Sequence, residues 1–251
     1  HSRIPRTART MIFSREKLKS AWREIYLSKP VKKRIFSKGV DGVSVEDFKR
    51  QEEKYLSEIY LSLAGGFFIF SDLKSYFKPR PGKKPREIQV PTVADRIVQK
   101  ILNEYLAKTY FQEVFKTAGI VGSVRGSTLR NILEKILEYH RDGYVYVLKT
   151  DIIDYFPTID TVRLKRVIAY HIKNIGSRKL LYDYLQKSNS TGIPQGPPLS
   201  PLMANAYLLS LDRYLSKRKS IRHIRYVDDV LVFCKSEKDA LKTYEFLVRK
   251  Y

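Results

Sequence analysis

The sequence is poor in several residue types that would mark a special class of protein. It holds a single cysteine among 251 residues, which cannot form an intramolecular disulfide or supply the ligands of a zinc finger. Its 12 glycines and 11 prolines, beside an apolar fraction of 43%, exclude collagen-like repeats and a disordered chain. No apolar run approaches the roughly 18 residues that a membrane-spanning helix requires. These absences predict a soluble globular protein of a reducing compartment, the cytoplasm, with no membrane partner.

Acidic residues are also scarce relative to basic ones. Asp and Glu number 26 against 48 Lys and Arg, which gives a formal net charge of +22. Such an excess repels itself unless an anionic partner offsets it. The cations are interleaved with 18 tyrosines and 12 phenylalanines, rather than gathered on one amphipathic helix as in a membrane-surface binder. Basic groups for phosphates and aromatic rings for bases are typical of nucleic-acid-binding proteins, with a merely solvated basic surface as the alternative.

Apolar periodicity and capping signals predict a mixture of helices and strands. Ser44 and Asp47 form a capping-box pattern at the start of a helix that should end near Gly65. The other predicted elements are a β-hairpin over residues 67–90, a strand over 144–153, a helix over 201–217, paired strands over 221–226 and 230–234, and a last helix that Ser236 begins. Because helices and strands do not alternate strictly, we expect an α+β fold rather than a parallel doubly wound sheet.

Three acidic residues stand in apolar surroundings that disfavour them. Asp151 interrupts the strand of residues 144–153, and Asp228 and Asp229 lie between the two apolar strands that follow. Strand interiors seldom hold carboxylates, and a carboxylate there is costly unless a cation neutralises it. Because all the ligands would be oxygen atoms, with no nearby His or Cys, the pattern favours Mg²⁺. For any one of the three, a turn or an ion pair is the structural alternative.

An ordered set of six motifs points to one family. The motifs are KGVDGVSVEDF (38–48), KPREIQVPTVADRIVQKIL (84–102), GSVRGSTLRNIL (122–133), TDIIDYFPTID (150–160), GIPQGPPLSPLMANAYLLSLD (192–212) and RYVDDVLVF (225–233). In this order they resemble the motifs of reverse transcriptases. The resemblance is greatest to the group II intron lineage, with its intron maturases and its CRISPR-associated and phage-defence relatives. It covers about residues 38–235, and one departure is Val227, where group II proteins usually have alanine.

The resemblance implies a right-hand polymerase with fingers and a palm, the palm being an antiparallel sheet backed by helices. We expect an N-terminal basic extension over residues 1–37, fingers over 38–94 and 158–194, and a palm over 95–157 and 195–251. In the family, the primer grip and the thumb follow the last palm strand. The thumb would therefore lie beyond Tyr251 and is expected to be absent from this chain.

The resemblance also implies a catalytic role for the three carboxylates. Asp151 and Asp228, with the carbonyl oxygen of Ile152, would hold two Mg²⁺ ions per active site, and Mn²⁺ is an alternative. Two such ions activate the primer 3′-hydroxyl group and stabilise the leaving pyrophosphate. Asp229 matches a third catalytic carboxylate, without an assigned metal contact.

Further residues are matched to the nucleotide and the nucleic acid. Lys84 and Arg86 on the first hairpin are expected to bind the triphosphate, with a general clamp on the template backbone as the alternative. Phe156 would lie under the sugar as a gate against ribonucleotides, with core packing as the alternative, and Pro157 is expected to hold it extended. The remaining assignments are the backbone N–H groups of Asp154 and Tyr155 and the side chain of Gln195 for the nucleotide, and Arg96, Arg125 and Tyr226 for template or primer, with a plain surface position as the alternative for Arg125.

The predicted activity is that of an RNA-directed DNA polymerase from a group II intron-encoded protein or a relative, in a prokaryotic cytoplasm. Expected partners are an RNA template, a DNA or RNA primer and deoxynucleotide triphosphates; intron RNA and a second copy of the chain, in a homodimer, stay open. Two alternatives remain, a maturase-type RNA-binding module without catalysis and an RNA-dependent RNA polymerase. The intact Asp151, Asp228 and Asp229 favour catalysis, and YVDD with an aromatic Phe156 favours deoxynucleotides.

Overall fold

The chain folds as two compact units, each built from two segments. A computed structural model describes residues 12–117, 119–122, 126–188 and 191–250. The first unit comprises His1–Leu106 and Phe156–Ser200, and the second comprises Ala107–Tyr155 and Pro201–Tyr251. The chain thus passes between units after residues 106, 155 and 200, whereas the predicted fingers and palm divide after 94, 157 and 194. The names fingers and palm stay predictions.

Helices and two small antiparallel sheets form the described part of the chain. The strands are β1 (Lys74–Arg80), β2 (Lys83–Val90), β3 (Tyr146–Thr150), β4 (Ile221–Tyr226) and β5 (Asp229–Cys234). The helices are α1 (Arg15–Ser28), α2 (Val31–Arg34), α3 (Val45–Arg50), α4 (Glu52–Gly65), α5 (Val93–Leu106), a π-helical turn (Ala107–Phe111), α6 (Gln112–Thr117), α7 (Leu129–Arg141), α8 (Tyr155–Thr158), α9 (Thr161–His171), α10 (Ile175–Gln186), α11 (Ser200–Tyr207), α12 (Leu209–Ser216) and α13 (Glu237–Lys250).

The helices of the first unit largely begin and end at the predicted signals. Ser44 and Asp47 form the capping box that starts α3, and Gly66 ends α4 in the left-handed conformation. The single helix predicted between them is in fact two, because Gln51, with φ −123° and ψ 32°, leaves the helical region. Trp22 of α1 is buried against Phe48 of α3, with ring centroids 4.4 Å apart. This packing joins the two helices in one core.

The first hairpin, β1 and β2, is shorter than its apolar pattern predicts. Its strands pair antiparallel from Lys74 with Val90, although the aromatic run begins at residue 67. Two carboxylates take the backbone N–H groups that a longer strand would have used. The Phe70 N–H group donates to the Asp183 carboxylate at 2.7 Å, and the Ser71 N–H group donates to the Asp95 carboxylate at 3.2 Å. Side-chain acceptors therefore end the pairing before it reaches residue 71.

The second unit is built on a three-stranded antiparallel sheet in the order β3-β5-β4. Helix α7 lies on one face, where its Ile132, Ile136 and Tyr139 pack against a buried cluster. Helices α12 and α13 contact the sheet as well, α12 at β4 and α13 at β3 and β5. The cluster under α7 consists of Val121, Tyr144, Ile224 and Phe233, with Leu231 beside it. The sheet is thus held by helices, as an α+β fold requires.

The helices of the second unit carry one further difference from the predicted pattern. The predicted helix over residues 201–217 is divided at Leu208 into α11 and α12. Within the described ranges, no helix is both long enough and apolar enough to cross a bilayer. Mixed helices and antiparallel sheets confirm the predicted α+β class.

Candidate active site

The second unit brings the three predicted catalytic carboxylates to one end of its sheet. Strand β3 ends at Thr150, which pairs with Val230 of β5. Asp151 directly follows Thr150 and Asp229 directly precedes Val230, so both carboxylates lie next to the last residue pair of the β3–β5 ladder. Asp228 lies in the turn before Asp229. Asp151 and Asp229 are exposed and Asp228 is half-buried, so all three can meet a ligand from solvent.

The carboxylate oxygens at this end of the sheet are suitable ligands for a hard cation such as Mg²⁺, which also binds water or substrate phosphates. The carboxylates offer only oxygen atoms, as Mg²⁺ prefers. No group of three or more His, Cys, Asp or Glu side chains within the described ranges is close enough to surround one ion. Mg²⁺ is commonly held by one or two protein carboxylates together with substrate phosphates. The carbonyl oxygen of Ile152, next to Asp151, stays a predicted ligand.

The turn that carries Asp228 has an unusual backbone. Strands β4 and β5 are joined by two residues, Val227 and Asp228, and Tyr226 pairs with Asp229 across them. Val227 has φ +59°, which is a genuine outlier for a β-branched residue and costs on the order of 1–3 kcal/mol. Only the first turn residue has positive φ, as in a type II′ turn, where glycine is the favoured residue. The turn is therefore strained at the residue before the carboxylate.

The segment after β3 turns sharply toward α8. Asp154 has φ +47°, a conformation that a short polar side chain tolerates better than others. Tyr155 is buried, and its hydroxyl donates a hydrogen bond of 2.6 Å to the carbonyl oxygen of Ala204. Burial raises the pKa of the Tyr155 phenol well above its usual range, with Asp228 among the nearby charges that add to this. The predicted use of the Asp154 and Tyr155 N–H groups for the nucleotide stays a prediction.

Phe156, the predicted sugar gate, lies in the first unit and is half-buried. The expectation that Pro157 holds it extended is wrong, because both residues belong to helix α8. Pro157 is tolerated there because N–H groups in the first helical turn have no partner within the helix. The Phe156 carbonyl oxygen accepts a hydrogen bond of 2.9 Å from the Ile193 N–H group. Its role as a gate stays a prediction.

The first unit places the other predicted nucleotide-binding residues near one another. Lys84 and Arg86 lie exposed on β2. Further along β2, the Gln89 N–H group donates a hydrogen bond of 2.7 Å to the carbonyl oxygen of Gln195. The residue before Gln195 is held in turn, since the Ser200 hydroxyl donates to the Pro194 carbonyl oxygen and accepts from the Tyr184 hydroxyl at 2.5 Å. Gln195 is thus fixed beside the strand that carries the two cations.

The residues predicted to contact template or primer differ in their exposure to solvent. Tyr226 is 56% exposed, on the strand that leads to Asp228. Arg96 is buried, and its guanidinium donates to the Ser37 hydroxyl at 2.8 Å and to the carbonyl oxygens of Ser37 and Pro91. Burial lowers the pKa of this guanidinium. Its position favours a structural role, and contact with template stays a prediction. Arg125 lies outside the described residues.

A group of polar residues that the sequence patterns did not single out lies directly behind the turn. Arg225 of β4 is fully buried with Asp212 and Asn205, and Arg225 donates to both. The sequence held one indication of this. Residues 221, 223 and 225 are spaced by two along the strand, so the Arg225 side chain lies on the same face as those of Ile221 and His223. A cavity of about 480 Å³ in the first unit, lined by Phe67, Ile69 and Tyr182 among others, includes none of the predicted site residues.

Comparison with known proteins agrees with this geometry. A family model described as "Reverse transcriptase (RNA-dependent DNA polymerase)" matches residues 78–250. The group II intron-encoded protein LtrA of Lactococcus lactis is 27% identical over 210 residues, 79% of this chain and 33% of LtrA. The retron Ec86 reverse transcriptase of Escherichia coli is 26% identical over 156 residues, 53% of this chain and 48% of that protein. The chain therefore spans a third to a half of the length of these curated relatives.

Solved structures support the same fold. A telomerase from Candida albicans, solved with a fragment of telomeric RNA, superposes with a TM-score of 0.52 at 13% identity. The match covers 82% of this chain and 43% of that chain. At 13% identity, this match shows a shared fold and nothing about function. Together with the family match, it confirms the predicted polymerase fold and the predicted resemblance to the group II intron lineage.

Proposed function

Because the chain belongs to the reverse transcriptase family, we propose that it copies RNA into DNA by adding deoxynucleotides to the 3′-hydroxyl group of a primer. The observation that supports this proposal is the position of Asp151, Asp228 and Asp229 at one end of the three-stranded sheet, next to the last pairs of β3 with β5 and of β4 with β5. Nucleotidyl transfer depends on positioning and charge stabilisation more than on covalent chemistry from the protein. Carboxylates at one sheet end are suited to hold the cations that this requires.

The proposed cofactors are two Mg²⁺ ions, with Mn²⁺ as a substitute. When bound, they would help to ionise the primer hydroxyl and would stabilise the leaving pyrophosphate. Asp151 and Asp228 would hold them, with the Ile152 carbonyl oxygen as a further ligand and Asp229 as the third catalytic carboxylate.

The first unit is proposed to bind the incoming nucleotide. Lys84 and Arg86 are exposed cations on one strand, and the forked guanidinium of Arg86 is suited to two oxygen atoms of a phosphate. Gln195 would guide the nucleotide from its fixed turn beside β2. Phe156 would close the space under the sugar. The roles of Gln195 and Phe156 would distinguish a nucleotide from other polyanions, which the net charge of +22 alone does not.

Primer extension tests the proposal. The protein should add deoxynucleotides to a primer annealed to RNA when Mg²⁺ is present and should stop when the metal is chelated. Asp228→Ala should reduce the rate by about 10³-fold or more, the scale for losing a main electrostatic stabiliser. Asp142→Ala is the matched control, because Asp142 is an exposed acid of the same unit at the end of α7. Full extension by Asp228→Ala would exclude the proposed site.

The high positive charge favours RNA binding as a function that does not depend on catalysis. A maturase-type binding module would bind RNA and extend no primer, whereas an RNA polymerase would prefer ribonucleotides in the same assay. RNA affinity should fall steeply with salt in either case, since Lys and Arg displace counterions from phosphates. Binding by Asp228→Ala should equal that of the unmodified chain. The relative LtrA is named as a group II intron-encoded protein, so intron RNA is the first RNA to test.

A further inference from the structure

Behind the turn that carries Asp228, the Arg225 side chain is fully buried and uses its entire donor set. A guanidinium has five N–H groups. Nε and Nη2 donate to the two carboxylate oxygens of Asp212 at 2.8 and 2.7 Å, and Nη1 and Nη2 donate to the side-chain and backbone oxygens of Asn205 at 3.0 and 3.1 Å. The fifth bond runs from Nη1 to the carbonyl oxygen of Val227, at 2.6 Å.

The charge of Arg225 is compensated by a paired and equally buried partner. Asp212 has no exposed side-chain surface and binds the guanidinium through both oxygens, which is the strong bidentate form of an ion pair. The His223 Nε2 atom lies 3.5 Å from an Asp212 oxygen. A buried ion pair contributes less to stability than an apolar replacement often would. Stability alone therefore does not account for the pair, and the guanidinium makes a further contact, to the turn.

What it holds is the strained residue of the turn. Val227 has φ +59°, and its carbonyl oxygen leads into the peptide bond of Asp228. A valine leaves this conformation unless the surroundings fix it. The short bond from Arg225 fixes the peptide plane between Val227 and Asp228 from the buried side. That plane sets the position of the Asp228 Cα atom, from which the carboxylate side chain extends.

Asn205 supports the same turn from a second direction. Its side-chain amide donates to the carbonyl oxygen of Gly122 at 2.7 Å while its oxygen accepts from Arg225. The backbone of Gly122 packs closely against the turn, since a Cβ atom at residue 122 would lie only 2.8 Å from the Val227 nitrogen. The Val121 N–H group also donates to the Arg225 carbonyl oxygen at 2.9 Å. The backbone around Gly122 and the side chain of Arg225 therefore hold the turn between them.

We infer that Arg225, with Asp212 and Asn205, is a positioning residue that holds the strained Val227–Asp228 turn and so orients the Asp228 carboxylate for catalysis. The inference rests on the proposed function for its effect on activity, and on geometry alone for its effect on the turn. Arg225 itself has no donor left for substrate.

The decisive experiment is a double-mutant cycle between Arg225→Lys and Val227→Gly in the full chain. Lysine keeps a positive charge beside Asp212 but lacks the fork that also reaches Val227. We expect Arg225→Lys to lower kcat for deoxynucleotide addition by about 10- to 100-fold, with KM within about 3-fold and cooperative unfolding retained. Glycine removes the strain at residue 227, so Val227→Gly should restore kcat of Arg225→Lys by at least about 3-fold. Additive effects, or an unchanged kcat in Arg225→Lys, would overturn the inference.

Hydrogen exchange gives a readout that does not depend on activity. Arg225→Lys should speed exchange of the amides of residues 226–230 by about 10-fold or more and leave β1 and β2 unchanged. Arg222→Lys is the matched control, because Arg222 is an exposed arginine of the same strand. Should Arg225→Lys fail to fold, Arg225→Gln with Asp212→Asn removes both buried charges together and carries the same expectations. If the unmodified chain extends no primer, the proposed function fails while exchange still decides the role of Arg225; unchanged exchange would refute that role.

Discussion

The two β-hairpins, one in each unit, make their turns in opposite ways. The β1–β2 hairpin turns through Pro81 and Gly82, and Gly82 has φ +67°, which glycine adopts at no steric cost. The β4–β5 hairpin turns through Val227 and Asp228, with the valine at φ +59°. Both residues of the first turn are exposed, whereas Val227 is buried. At the first turn, an arginine spans the loop, since Arg80 Nε donates to the Lys84 carbonyl oxygen at 3.0 Å; at the second, the buried guanidinium of Arg225 donates to the carbonyl oxygen of the strained residue itself.

This difference matches the work that the proposed function gives to each hairpin. A hairpin that meets a diffusing polyanion needs exposed positive charge, and the long exposed side chains of Lys84 and Arg86 supply it. A hairpin that presents a carboxylate to a reacting phosphorus must hold it within a fraction of an ångström. Strain at Val227, supported from behind, is the kind of backbone feature that occurs where position matters.

Each hairpin is nevertheless anchored by a buried ionisable residue, which lies in a strand of the second hairpin and on a helix beside the first. Arg225 is paired with Asp212. Asp95 of α5, which accepts from the Ser71 N–H group just before β1, is held by hydrogen bonds from Ser71 and Thr92. Burial raises the pKa of the Asp95 carboxyl to about 6 despite those bonds. The two anchors should therefore respond differently to pH.

The largest expected effect follows from this contrast. Between about pH 4 and pH 6 the folded state holds the Asp95 proton more firmly than the unfolded state, so the free energy of unfolding should fall as pH rises through this range. The shift corresponds to about 3 kcal/mol. Asp95→Asn imitates the protonated form, so its stability relative to the unmodified chain should rise by up to that amount between pH 4 and pH 7, measured by urea unfolding.

Asp72→Asn controls for the loss of a carboxylate near the same hairpin, because Asp72 is exposed and pairs with Lys187 at 3.4 Å. It should follow the pH dependence of the unmodified chain within about 0.5 kcal/mol. An Asp95→Asn curve parallel to that of the unmodified chain would mean that folding does not raise the pKa of the Asp95 carboxyl, and that the first hairpin is anchored by a charge as the second is.

The cations of the exposed hairpin should give the next largest effect. Arg86→Ala and Lys84→Ala should each lower kcat/KM for the incoming deoxynucleotide by roughly 10- to 100-fold, mainly through KM, the loss expected for a hydrogen bond to a charged group. Lys74→Ala is the charge-matched control, since Lys74 is exposed at the other end of the same hairpin. An equal loss in Lys74→Ala would indicate a general clamp on the template backbone instead of a triphosphate site.

Sequence patterns predicted what depends on local signals and on strand pairing. The capping box at Ser44 and the stop at Gly66 were confirmed because caps are properties of a few adjacent residues. The hairpin of residues 221–226 and 230–234 was confirmed because two apolar strands joined by a short turn pair with each other, whereas the position of Asp151 beside that hairpin was expected only from the family resemblance. The start of β1 could not, since Asp95 and Asp183 come from distant helices.

The buried group behind the carboxylate turn was missed for a related reason. Side chains along a strand alternate between its two faces. Which face is buried depends on the packing of the whole sheet, so the strand sequence alone does not tell whether an arginine faces solvent or the core. Asp212, its partner, lies on helix α12 and Asn205 on α11, and their sequence spacing marks neither as a partner. Phe156 shows the opposite error, because the local preference of a residue before proline was overridden by helix α8.

The smallest expected effect concerns Phe156 and sharpens the division of labour between the units. If the first unit selects the substrate and the second performs the chemistry, a change at Phe156 should alter nucleotide choice and leave the metal requirement intact. Its ring is half-buried, and its backbone is fixed by the bond to Ile193. A ring under the sugar excludes a 2′-hydroxyl group by contact, which is selection by repulsion. Phe156→Ala should therefore raise ribonucleotide use relative to deoxynucleotide use by at least about 10-fold, or about 1.4 kcal/mol.

The measurement is the ratio of kcat/KM for a matched ribonucleotide and deoxynucleotide on one primer–template, compared with Phe36→Ala, which removes an exposed ring of the same unit. Valine at residue 156 should give an intermediate ratio, because it refills part of the space that alanine opens. The Mg²⁺ dependence should be the same in all four proteins, since Asp151 and Asp228 are untouched. A folded, active Phe156→Ala with an unchanged ratio would show that the ring packs in the core, and that nucleotide choice is made by residues other than Phe156.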